Sequence, residues 1–380
     1  MRYKPLATLL PVGLYLVSMP LHPLTGHAQA RRRLAEAARS DRLPQVMVIS
    51  GPGGVGKQRL ALWLAQLVMC EEKGLEPCGR CRPCRLVENL AHPDLHWLVP
   101  IPRPKAADPD KAVDEAAQAI AEVMDERRAK PLYGPPDGMA SHSMASVRLL
   151  QRKASLTSVE GGRRVFILGD AERLVPQESS QEAANALLKL LEEPPAGSLF
   201  LLTTVDARRL LPTIRSRAVP VRLNRLTDDD VRGFLTREPD PPLSGEALSE
   251  RVALAGGSIG AALAADDEAA KAYRAAAQVL DAVMAGPADR YERALRQPPF
   301  SARGEFTAML DALAETLGEA ARSGLGQPSR RPVPSALKRA EPGALLQAME
   351  RVAAAREAAY GNVNPQVLLA VLGEDLAEVL

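Results

Sequence analysis

Short unbroken apolar runs alternate with amphipathic stretches along the first part of the chain, and amphipathic stretches alone fill the last part. Val46-Met47-Val48-Ile49, Val165-Phe166-Ile167-Leu168 and Leu199-Phe200-Leu201-Leu202 have the length and composition of strands buried on both faces. His92 to Val99 reads as a further strand with its lead-in, and Val219 to Leu223 as a last short one. Between them, residues 29–38 read as a helix. Leu60, Trp63, Leu64, Leu67 and Val68 recur at helical spacing on one face of another. Ser146 to Leu156 predicts a basic amphipathic helix. Gln181 to Leu191 predicts one more, stopped by Pro194-Pro195. Strands alternating with helices predict a parallel sheet covered on both faces.

Beyond residue 224 the pattern is helical throughout. Thr227, with Asp230 three residues on, is a capping-box-like start. A small helical unit is expected to about residue 270, followed by Ala/Leu-rich helices broken by Pro and Gly around 324–334. The last helix has Asn364 as cap and Pro365 at its first position, with Leu368, Leu369, Leu372, Leu376 and Val379 as its apolar stripe. Residues 101–145 are rich in Pro, Asp, Lys and Ala, with one helical patch near Val113 to Val123. We expect an exposed, partly flexible insertion there.

A length of 380 residues allows two or three domains, and 46% apolar residues with 3% aromatic predict cores of Leu, Ala and Val. A net charge of +2 argues neither for nor against a nucleic-acid partner. Arg2 and Lys4 precede an apolar run from Leu6 to Val17, broken by Pro11 and Gly13 and too short to span a bilayer. We expect Met19 to be the true start and segment 1–19 to be a non-native extension or tail. The cysteines are confined to positions 70, 78, 81 and 84. This C-x7-C-x2-C-x2-C spacing suits four thiolates closing around a structural zinc, and a chain with its own cores needs no disulfide scaffold. His92 and His96 are then ordinary structural histidines.

Gly51-Pro52-Gly53-Gly54-Val55-Gly56-Lys57-Gln58 lies between a predicted strand and a predicted helix. Backbone N–H groups of such a loop converge on a polyphosphate, and Lys57 adds a charge for the outer phosphates. Gln58 stands where the motif wants the Ser or Thr hydroxyl that holds magnesium. The strand Val165 to Leu168 should end on an acid that also serves the metal, and it ends instead on Gly169-Asp170-Ala171-Glu172. Asp170 is either a displaced metal ligand or a solvated cap. Thr203, at the end of its strand, is placed to sense an outer phosphate. Arg215 and Arg217 are either surface charges or, in an oligomeric ATPase, candidates for reaching a neighbour's nucleotide.

Several of these segments together resemble the clamp-loader branch of the AAA+ family, in its bacterial delta-prime form. The residues that carry the resemblance are the loop Gly51 to Gln58, the Cys70/Cys78/Cys81/Cys84 module after the P-loop helix, and His92-Pro93-Asp94. To these are added the string Asn185 to Pro195, Ile214-Arg215-Ser216-Arg217-Ala218 and Asn362-Val363-Asn364-Pro365. The resemblance implies an α/β fold: a RecA-like AAA+ P-loop domain over 20–224 with a zinc module at 70–84, a helical lid over 225–275 and an all-α collar domain over 276–380. It implies a subunit of a cytoplasmic hetero-oligomeric ring with gamma/tau and delta subunits, which places a sliding clamp on primed DNA and touches no membrane. Arg217, in Ser216-Arg217-Ala218, inherits the role of an arginine supplied in trans to a neighbour's ATP. A lid arginine of active subunits is replaced by Gly260. Nucleotide-binding positions would be Gly51, Gly53, Gly54, Val55, Gly56, Lys57, Gln58 and Thr203, with ATP weak, the magnesium site degenerate and hydrolysis weak or absent. The rival readings are an active gamma/tau-type loader ATPase and a P-loop phosphotransferase.

Overall fold

The computed structural model describes residues 21–134, 140–174, 181–238, 243–264, 268–299, 304–327, 329, 333–359, 361 and 363–380. The N-terminal apolar run and the choice of start lie outside them. Five parallel strands form one sheet in the order β2-β3-β4-β1-β5. They are β1 (Val46–Ser50), β2 (Leu95–Leu98), β3 (Arg164–Leu168), β4 (Ser198–Thr204) and β5 (Val219–Arg222). Helices α1 (Ala28–Arg39), α2 (Lys57–Met69), α3 (Arg82–Glu88), α4 (Pro109–Ala129), α5 (Met144–Ser155), α6 (Glu182–Glu192) and α7 (Pro212–Arg215) are interleaved with them.

The sheet is covered on both faces because alternate strand residues feed two separate cores. Met47, Ile49, Val165, Ile167, Leu199 and Leu201 face Leu60, Leu64 and Leu67 of α2. Val48, Phe166, Leu168, Phe200 and Leu202 face Val147 and Leu150 of α5 and Leu187 and Leu191 of α6. Phe166 and Phe200 stack with ring centroids 4.8 Å apart. Each such side chain contributes about 1.5–3 kcal/mol on full burial. In the register, Ile49 lies beside Thr203 and Leu168 beside Leu202, so the ends of β1, β3 and β4 meet along one edge.

The expected exposed insertion over 101–145 is corrected. Asp108 accepts from the backbone N–H groups of Asp110 and Lys111 and caps α4, a 21-residue helix. Val113 and Ala116 of α4 are buried in the core beneath α2, and Ile120 and Val123 pack against it. A weak apolar stripe in an Ala-rich, charged stretch is enough to dock the helix. In the cysteine segment, Cys84 lies in α3.

Helices α8 (Asp228–Arg237), α9 (Gly245–Ala255) and α10 (Ile259–Ala264) share a core of Leu226, Val231, Phe234, Leu235, Leu248, Val252 and Ala262. Thr227 and Asp230 form the predicted capping box at the start of α8. Helices α11 (Glu268–Ala285), α12 (Pro287–Leu295), α13 (Glu305–Gly324), α14 (Pro342–Ala358) and α15 (Pro365–Val379) form another core around Leu310, Leu313, Leu317, Leu345, Val352 and Leu376. Asn364 caps α15 by accepting from the Gln366 N–H at 2.8 Å. Among the described residues, no helix is long and apolar enough to cross a membrane.

Candidate nucleotide loop and metal centre

The loop after β1 has the backbone of a phosphate cradle. Gly54 and Gly56 adopt φ of 68° and 97°, and the turn delivers Lys57 to the first position of α2. The side chains around it are turned onto one another. Lys57 is 7% exposed, and its Nζ donates to the Pro52 carbonyl at 2.6 Å. Burial pushes its amine below the ordinary lysine range, against the pull of Glu172 and Asp170. The loop also touches the helical unit behind it. Gly260 N–H donates to the Gly54 carbonyl at 2.9 Å, and Ser258 Oγ donates to the Gly53 carbonyl at 2.9 Å. A Cβ on Gly54 would lie 2.7 Å from Gly260 Cα, so only glycine fits on either side of this contact.

At the metal end, Gln58 Nε2 donates to Asp170 Oδ2 at 3.0 Å. Gln58 Oε1 accepts from Arg127 Nη1 at 3.4 Å and from Tyr133 Oη at 3.5 Å. Asp170 is therefore a partner of Gln58 rather than a solvated cap, and its φ of 50° turns the chain toward it. Its own N–H donates to Thr203 Oγ1 at 3.2 Å, which places Thr203 at the same edge. Burial raises the Asp170 carboxyl, opposed by Lys57, Arg173 and Arg127. Burial also raises Glu172, and the Asp170 charge adds to the effect. Glu172 accepts from Val205 N–H at 3.4 Å on one oxygen. Behind the strand ends, His142 Nε2 donates to the Gly169 carbonyl at 2.7 Å.

The four cysteine sulfurs converge. All lie within 4.8 Å of one another, with Cys78–Cys84 at 3.9 Å and Cys81–Cys70 at 4.0 Å. Tetrahedral thiolates at a Zn–S distance of about 2.3 Å are about 3.8 Å apart. The donor set therefore fits a four-coordinate metal with no open position. Cys78 N–H donates to Cys70 Sγ at 3.4 Å and Cys81 N–H to Cys78 Sγ at 3.3 Å, as thiolates favour. Backbone hydrogen bonds from Cys81 and Arg80 bring the Cys78 thiol down to about 7, whereas burial pushes Cys84 up. The module is tied to α2 by Gln66 Nε2 donating to the Cys84 carbonyl at 3.2 Å. Trp63 Nε1 adds a bond to Glu76 at 2.7 Å. His92 and His96 stand apart: His92 Nδ1 accepts from Asp94 N–H at 3.1 Å, and His96 stacks on Phe166.

Arg217 lies beyond α7, before β5. Its Nη2 pairs with Glu192 at the end of α6 at 2.5 Å, and its Nη1 donates to the Thr213 carbonyl at 2.9 Å. Among the described residues, its partners lie outside the P-loop cluster.

The sequence pattern of the family described as DNA polymerase III, delta subunit, matches residues 26–227, more than half of the chain. The chain belongs to this family. The match takes in the whole sheet, the P-loop, the cysteine module and Arg217, and ends at the cap of α8. Among curated relatives, the DNA polymerase III subunit delta' of Bacillus subtilis is 30% identical over 213 residues, covering 54% of this chain and 52% of that protein. The subunit delta' of Pseudomonas aeruginosa is 32% identical, covering 56% and 52%, and that of Escherichia coli is 29% identical, covering 61% and 57%. The chain thus spans about half the length of the curated relatives it matches.

The residues that fill the metal end of the loop come from far apart in the chain. Motif and spacing single out Gln58, Gly169, Asp170 and Thr203, which the structure brings to one edge, and the family resemblance singles out Gly260, which meets Gly54. They miss Arg127, Tyr133, Trp97, Glu172 and Ser258. A basic residue closing an amphipathic helix and two aromatics in a polar stretch were the available signals, and neither is specific.

Proposed function

We propose that this chain is a delta-prime-like clamp-loader subunit of the bacterial replicative polymerase. In this reading it works in the cytoplasm within a ring containing gamma/tau and delta subunits and helps to place a sliding clamp on primed DNA. Residues 225–275 act as the lid and 276–380 as the collar that joins the ring. Structural zinc sits in the shell of Cys70, Cys78, Cys81 and Cys84. Hydrolysis by this chain itself is weak or absent. Its chemical contribution is Arg217, offered to the nucleotide of a neighbouring subunit. One observation carries the reading: the P-loop's polar groups are spent on Pro52, Asp170, Ser258 and Gly260, while Arg217, among the described residues, is bonded to the Glu192 carboxylate, the Thr213 carbonyl and Ser216 Oγ.

Reconstitution with gamma/tau, delta and clamp tests it. Arg217→Ala should leave assembly intact and lower the loader's ATPase by about 10³-fold, the scale of a lost arginine finger. Unchanged turnover by an intact complex would sink the reading.

A further inference from the structure

The ion that a P-loop ATPase brings with its nucleotide does not fit this chain. Magnesium needs oxygen lone pairs in an octahedron at about 2.0–2.1 Å. Gln58 holds the place of the first ligand, yet its oxygen accepts from Arg127 Nη1 at 3.4 Å and Tyr133 Oη at 3.5 Å, while its nitrogen is turned to Asp170. Turning the amide over is not open to it, because a guanidinium only donates and a carboxylate only accepts. Gly169 holds the place of the second ligand. A Cβ there would lie 3.0 Å from Gln58 Nε2, so a carboxylate at 169 would require the Gln58 amide to give way.

A cation is present nonetheless. Arg127, 4% exposed, lies 4.2 Å from the Trp97 ring centroid and 4.0 Å from that of Tyr133. Two aromatic faces and the Gln58 oxygen hold the guanidinium with little freedom. Its charge acts on the half-buried Asp170 together with those of Lys57 and Arg173, while Lys57 also faces the buried Glu172.

We propose that Arg127 is the resident cation of this P-loop, serving in place of magnesium and making the site indifferent to that ion. The segment that follows β2 then gains a purpose, since it delivers Arg127 and Tyr133 to the metal end of the loop. This rests on the reading that the subunit does not run its own ATPase cycle, and it adds the residue that determines the metal response.

The test uses the full chain carrying Trp63→Phe, which leaves Trp97 as the sole tryptophan and reporter of the Arg127 box. Thermal midpoint and Trp97 fluorescence are read with ATP in magnesium and with ATP in EDTA. The parent and Arg127→Lys should give the same values in both buffers. Arg127→Met should gain a magnesium-dependent rise in midpoint of about 3–5 °C as Asp170 loses the cation at the metal end. If Arg127→Met does not fold, Arg127→Gln, which keeps a donor to Gln58 without the charge, is read in the same way. A magnesium-dependent response of the parent, or a folded neutral variant as indifferent as the parent, overturns the proposal. Magnesium-dependent turnover by the parent would overturn the functional reading as well, whereas magnesium-dependent binding without turnover removes only the role of Arg127.

Discussion

The cysteine module and the P-loop both carry sequence patterns for binding a cation, and they use their donors in opposite ways. In the module, four sulfurs approach to 3.9 and 4.0 Å across its two closest pairs and point at one centre. At the P-loop, Gln58, Asp170 and Thr203 are bonded to other protein groups. The module takes all its ligands from positions 70 to 84, so spacing alone decides whether they converge. The P-loop edge is assembled from residues 57–58, 127–133, 169–172, 203 and 258–260, and any one segment can spend a donor that another would need. A local motif therefore states capacity, while a dispersed one states only backbone shape.

Breaking the local site should have the largest effect. The purified chain is expected to hold about one zinc. Cys84→Ser, in the buried half of the shell, should lose it. Structural zinc sites contribute apparent energies of about 10–16 kcal/mol in small domains, so the loss should unfold residues 70–88 and lower the thermal midpoint sharply. Metal analysis and calorimetry check this, and a metal-free chain with an unchanged midpoint would contradict it.

Acid should act next, through the strand ends behind the loop. Burial lowers His142 to about 4 from an ordinary value of 6.5, against the hydrogen bond to the Gly169 carbonyl. His96 is likewise lowered to about 4, by burial and by Lys153. The unfolded chain takes up these protons first. Their contribution is therefore complete above pH 6.5 and is lost as pH falls toward 4. For His142 alone this is about 3 kcal/mol. Asp170 and Glu172, raised by burial, work in the opposite direction and recover part of the loss as they protonate. His142→Gln should flatten the acid limb of a denaturation series, with His96 and the likewise lowered His92 supplying what remains; an unaltered slope would remove His142 from the account.

Smaller again is the contact between the loop and the helical unit of α8 to α10. Gly260→Ala puts a methyl group 2.7 Å from Gly54 Cα, and overpacking of this kind costs about 1–3 kcal/mol. A midpoint equal to that of the parent would mean that the two backbones separate readily.

The sheet was legible because each strand is an apolar run with turn residues on both sides, and the caps Thr227 and Asn364 were legible because capping is local. Helix α4 was harder. Its buried stripe rests on Val113 and Ala116 in a charged, Ala-rich stretch, and such a face signals burial only once a partner surface is known. Gln58, Gly169 and Gly260 were readable as departures from a motif. That Gln58 and Gly169 lie together was not readable, because Gln58 occupies the space beside the missing Cβ at 169 and accepts from a guanidinium some seventy positions away.

The smallest effect is expected where an active ATPase would show its largest. In such an enzyme the P-loop lysine holds the outer phosphates, and its removal abolishes turnover. Here Lys57 Nζ is bonded to the Pro52 carbonyl within its own loop. Lys57→Met should therefore alter the ATPase of an assembled loader by less than about twofold, against about 10³-fold for Arg217→Ala. Its cost should fall on stability, because Asp170 and Glu172 lose a cation and their carboxyl groups, already raised by burial, rise further. That cost is about 1–3 kcal/mol at neutral pH, shrinking as both acids protonate. Comparing Lys57→Met with Arg217→Ala in one reconstituted loader separates a loop that keeps its shape from an arginine that does chemistry. Equal losses of turnover would mean that the loop engages a nucleotide after all.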